Sequence, residues 1–116
     1  MSNRVWHITT LAEWQAAQAA GFYQSANFTQ EGFIHCSYSH QLLTVANRFF
    51  HGQDGLVVLL IDSTKIERML VNENLEGGVE LFPHLYGVLP NNAVSKAITL
   101  SCNPDGSFNL PQELQI

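Results

Sequence analysis

The sequence predicts a single α+β domain, with about six short strands and two helices. Three observations carry this. The 116 residues are 46% hydrophobic and 13% charged, which supplies one core and argues against a disordered chain. Short β-patterned stretches recur, bounded by Gly, Pro, Asn or Asp. Two segments, 11–20 and 39–50, switch to helical spacing.

The elements follow in order. RVWHI (4–8) alternates, with Trp6 and Ile8 on one face and Val5 and His7 on the other. Thr10 reads as an N-cap, and Glu13 completes a capping box. The helix LAEWQAAQAA then runs to Gly21, a good C′ residue, with Leu11, Trp14 and Ala17 or Gln18 on its inner face. Residues 22–32 are polar enough to read as an irregular connection. FIHCS (33–37) is a strand. Phe33, His35 and Ser37 share one side of it, Ile34 and Cys36 the other.

The second helix places Leu42, Val45, Ala46 and Phe49 on a core face, with Ser37 or Ser39 as its cap and Gly52 at its end. LVVLLID (56–62) is apolar on both faces, as a strand covered on both sides must be. Residues 66–71 suit a strand or a helical turn. NENLEGG is a loop, and Gly77 and Gly78 would let it fold over a ligand. In ELFPHLYG, Pro83 is unsuited to a central ladder. AVSKAITLSC is a strand, and NPDG turns it back into SFNL, closing a C-terminal hairpin over 97–110. No linker divides residues 1–116, so one domain is expected.

Charge narrows the partners. The net charge is −5, and the five basic residues (Arg4, Arg48, Lys65, Arg68, Lys96) are scattered. That excludes a nucleic-acid stripe and argues against docking on an anionic membrane. The longest apolar run, LVVLLI, is too short to span a bilayer, and the N-terminus lacks the apolar core of a signal peptide. Two cysteines make no disulfide framework, so a cytoplasmic protein with reduced thiols is expected. Nothing in the sequence sets an oligomeric state.

The candidate site comes from polar residues that a plain core does not need. His35 interrupts an apolar strand and must find partners or face a cavity. His7 repeats the pattern, and hydroxyls follow both: Thr9 after His7, Ser37 after His35. If the strands are neighbours, the two imidazoles line one pocket. ELFPHLYG adds Glu80, His84 and Tyr86. Cys36 must face away from its neighbour His35, so a Cys/His nucleophilic pair is disfavoured and the thiol belongs to packing. Zinc-type spacings, phosphate loops and a hydrolase elbow are missing.

HITT, EGFIHCS, VANRFF, LLID and ELFPHLYG occur in this order in a family of small bacterial proteins catalogued as domain of unknown function 952, which the chain resembles over about residues 5–100. Family members often carry Glu where this chain has His40. The family in turn resembles the ADP-ribosyltransferase fold, which implies a split antiparallel or mixed sheet and a cleft for NAD, ADP-ribose or a related nucleotide. The resemblance implies His7, Thr9, Ser37 and Tyr86 as ligand contacts and His35, Glu80 and His84 as catalytic candidates. The usual Tyr of the fold's second motif is missing, and only Arg4 and Arg48 are at hand for a pyrophosphate. NAD would be substrate, with no certain cofactor, for a transferase or glycohydrolase. A non-catalytic ligand-binding or interaction module and a His/carboxylate metal site are the alternatives.

Overall fold

The computed structural model describes residues 4–25, 28–74 and 80–110. Among the described residues, three small antiparallel sheets and two main helices make an α+β domain. The first sheet has the order β1-β4-β8: Arg4–Thr10, Leu56–Asp62 and Val94–Leu100. Its central strand is the apolar β4, as its two-sided pattern requires. Alternation splits this sheet into two buried faces. Val5, Val57, Leu59 and Ile61 pack with Trp14 and Ala17 of α1 (Leu11–Ala20). Trp6, Ile8, Leu56, Val58, Leu60, Ile98 and Leu100 pack with Leu42, Val45 and Ala46 of α3 (Ser39–Phe49).

The first helix keeps its predicted ends. Thr10 Oγ1 accepts the Glu13 amide at 3.1 Å, and Gly21 closes it with a φ of 93°. Only half of the capping box forms, because the Glu13 carboxylate turns to the Thr9 hydroxyl. Leu11 is exposed, since the helix buries only a narrow stripe. The stretch expected to be an irregular connection holds two elements: β2 (Phe22–Tyr23) pairs with β7 (Leu89–Pro90), and α2 (Phe28–Glu31) is a single helical turn.

Neither serine caps α3. Gln41 and Tyr38 exchange bonds instead, the Gln41 amide to the Tyr38 carbonyl and the Tyr38 amide to Gln41 Oε1. Phe49 lies past the packed stripe and is 54% exposed.

The third sheet has the order β3-β6-β5: Ile34–His35, Phe82–Leu85 and Leu70–Glu73. Pro83 therefore sits in a central strand, against expectation. The ladder accommodates it because Pro83 needs only its carbonyl there, which accepts the Cys36 amide at 2.9 Å. Residues 66–71 combine both readings, with a 3-10 turn over Glu67–Met69 running into β5. Gly77 and Gly78 lie outside the described residues.

The C-terminal hairpin does not form. The turn closes, with Asn103 and Ser107 bonded at 2.7 Å, but residues 107–110 enter no ladder. Phe108 is instead drawn into the core beside α3, and its amide donates to Asn47 Oδ1 at 2.7 Å. The Gly52 amide donates to the Gly106 carbonyl at 2.8 Å, which ties this tail to the end of α3.

A candidate binding cleft at the split between two strands

The first and third sheets meet at one point. Trp6 and Ser37 exchange backbone hydrogen bonds of 2.8 and 2.7 Å, an isolated bridge. Past it, β1 and β3 have no common ladder, and a cleft of about 430 Å³ lies beside them. That volume is in the range of small-molecule sites. The cleft lining is part aromatic and apolar, with Phe33, Val45, Phe49 and Phe50, and part polar, with His7, Thr9, Glu13, Tyr23, Glu31 and His35. Arg48 lies over the Phe49 ring at 5.2 Å.

His7, Tyr23, Thr9 and Glu13 form one continuous chain of contacts. His7 Nδ1 donates to the His35 carbonyl at 2.7 Å, so a side chain bridges the strands where the backbone does not. His7 Nε2 meets the Tyr23 hydroxyl at 2.8 Å. Tyr23 lies 2.9 Å from Thr9 Oγ1, and Thr9 donates to Glu13 Oε1 at 2.7 Å. Burial, opposed by the bond to the His35 carbonyl, pulls the His7 imidazole down to about 4, so it is neutral near neutral pH. Burial also pushes the Tyr23 phenol above its ordinary value.

Beneath His35 lies a second cluster. His35 and His84 are register partners on β3 and β6, with ring centroids 5.2 Å apart. His84 is fully buried, stacks on Phe33 at 4.2 Å, and bonds Glu73 Oε2 through Nδ1 at 2.9 Å. Tyr86 is exposed and donates to the same Glu73 oxygen. The Tyr86 bond first, then the His84 bond, holds the Glu73 carboxyl below the ordinary range.

The residues singled out in the sequence therefore separate. His7, Thr9 and His35 line the cleft. His84 and Tyr86 meet at Glu73, behind it. Ser37 is buried at the Trp6 bridge. Glu80, just before β6, lies against the first turn of α3, where Gln41 Nε2 donates to it at 3.3 Å and His40 lies 3.9 Å away. Cys36 is fully buried, and burial pushes its thiol up to about 12, so no thiolate is at hand. Among the described residues, no group of three or more His, Cys, Asp or Glu is arranged to hold a metal ion. No described helix is long and apolar enough to cross a membrane.

Sequence reasoning missed Tyr23, Glu13 and Glu73. Glu13 carried a signal, since it lies four residues after Thr9 on the first turn of a helix and can reach back across that turn. Tyr23 and Glu73 carried none, because the pairing of β5 with β6 brings Glu73 to His84 and packing between separate sheets brings Tyr23 to His7.

This α+β arrangement recurs among known proteins. The chain belongs to the family described as protein of unknown function (DUF952), whose model matches residues 8–97. It is similar to CC0527 from Caulobacter crescentus. The crystal structure of that protein is 34% identical, with a TM-score of 0.88 over 97% of this chain and 99% of that one. Its solution NMR structure matches with a TM-score of 0.84 over 98% of both. No curated protein matches the chain.

Proposed function

We propose that the cleft binds a ring-bearing, hydroxylated small molecule of nucleoside size, the nucleoside end of NAD or ADP-ribose being the preferred candidate. One observation carries this: aromatic rings and a set of hydroxyl, imidazole and carboxylate groups line one cleft of about 430 Å³. Rings stack a flat heterocycle, and such polar groups read ribose hydroxyls. Glu13 and Glu31 disfavour a pyrophosphate inside the cleft. The phosphates would project outward, past Arg48 at the Phe49 ring.

An ADP-ribosyltransferase-like fold remains part of this proposal, by analogy of architecture. In such a reaction Glu13 of the cleft lining would supply the carboxylate, in the role the resemblance offered to Glu80. A carboxylate there stabilises the oxocarbenium character that develops as the nicotinamide bond breaks. The separation of Glu80 and His84 from the cleft lining favours a second reading, a binding module without turnover.

Thermal-shift measurements with nicotinamide riboside, adenosine, NAD and ADP-ribose at millimolar concentration test the proposal, since a ligand of the native state raises apparent stability. Stabilisation by the nucleosides is expected, weakened by Phe49→Ser. Arg48→Ala should weaken only NAD and ADP-ribose. No shift with any of the four overturns the reading. Binding of NAD without nicotinamide release selects the module.

A further inference from the structure

We propose that the floor of the cleft is a proton-accepting relay, in which Glu13 takes a proton from a hydroxyl or water in the cleft and Thr9 and Tyr23 connect that event to His7. The inference rests on the cleft being the functional site, and it goes beyond what the ligand is. It follows from counting hydrogens.

His7 Nδ1 faces a carbonyl, which only accepts, so its hydrogen is fixed there. In a neutral imidazole, Nε2 is then a lone pair. At the other end, an ionised Glu13 only accepts. Between these two acceptors lie three contacts: Nε2 to Tyr23 at 2.8 Å, Tyr23 to Thr9 at 2.9 Å, and Thr9 to Glu13 at 2.7 Å. Two hydroxyls supply two hydrogens. One contact must therefore stand without a hydrogen, a costly state for polar atoms in a buried setting.

One added proton resolves this in two ways. It can charge His7 at Nε2, but burial opposes that charge, as the fall to about 4 records. Otherwise it lands on Glu13. The new Glu13 O–H then donates to Thr9, the Thr9 hydroxyl swings to Tyr23, and the Tyr23 hydroxyl swings to His7 Nε2. Every contact is filled, and no charge is buried. In chemical terms the O–H bond of the bound group breaks, its oxygen keeps the electron pair, and the proton forms a bond to a Glu13 oxygen. This is general-base work, suited to activating an acceptor hydroxyl.

The other titratable groups around the relay do not supply the missing hydrogen. The His35 backbone carbonyl only accepts, and the His35 ring disfavours a charge on His7. Cys36 is a neutral thiol, and a charge on it would only raise the Tyr23 phenol further. Glu31 brings a second acid to the cleft, and among the described lining residues there is no Lys or Arg.

The test needs no ligand. NMR of the free protein follows the His7 ring nitrogens and the Glu13 carboxyl carbon as pH falls from neutral, stopping well short of 4, where His7 itself takes a proton. In the parent protein both should move together as one event, with Nε2 still unprotonated. Thr9→Val should abolish the shared movement, and Thr9→Ser should restore it. In Glu13→Gln the amide N–H fills the outer contact, so the His7 signals should not move over that range. Independent movement of the two signals in the parent protein, coupling that survives Thr9→Val, or protonation at Nε2 each overturns the relay. Absence of nucleoside binding leaves these results untouched, so the two proposals fail separately.

Discussion

Two buried histidines take opposite solutions to the same problem. His84 has a carboxylate in direct contact, Glu73, which Tyr86 also holds. His7 has its carboxylate two hydroxyls away, with a carbonyl on its other nitrogen. A direct pair fixes tautomer and ring orientation and leaves little to change. An interposed pair keeps the imidazole neutral and its hydrogens movable. Hence the cluster behind the cleft reads as a brace for His35, and the one lining it as the responsive part.

The largest effect that sharpens this contrast is in pH dependence. An unfolded imidazole binds its proton at 6.5 and folded His7 only at about 4. Between these values the unfolded chain holds more protons, so the His7 contribution is complete above 6.5 and shrinks as pH falls toward 4. The full loss is about 3 kcal/mol, read from urea denaturation across that window. His7→Gln should flatten this part of the profile at lower overall stability.

Tyr23→Phe comes next. It strands His7 Nε2 and removes a partner of Thr9, at about 2 kcal/mol near neutral pH by the same measurement. Thr10→Ala should cost about 1 kcal/mol by loosening the helix that carries Glu13, while the hydrogen-bond chain stays intact. The smallest loss should belong to Glu73→Gln, because the amide oxygen still accepts from His84 and Tyr86. Should Glu73→Gln destabilise more than Tyr23→Phe in a thermal melt, the direct pair is the demanding one and the contrast fails.

Much of this was legible residue by residue. The two-sided run LVVLLID announced a strand buried on both faces, and Thr10 and Gly21 marked both ends of one helix. The alternation in FIHCS separated Cys36 from His35. What was hidden depended on pairings distant in sequence. Pro83 argued against a central strand because propensity cannot show that a neighbour asks only for a carbonyl. SFNL looked like a strand because its pattern fits one, yet burying Phe108 against α3 and bonding its amide to Asn47 outweighed the ladder. Glu80 looked nearer to the histidines in sequence than it lies in space, since the first turn of α3 takes it.

The tail that failed to become a hairpin has a consequence for diversity. The family match stops at residue 97, while residues 102–110 lean on the end of α3, where Phe49 and Phe50 line the cleft. Lengthening or trimming that tail would reshape this part of the lining and leave His7, His35 and the motifs around them unaltered. The same inner chemistry can thus be offered to guests of different girth by editing a segment outside the family's signature.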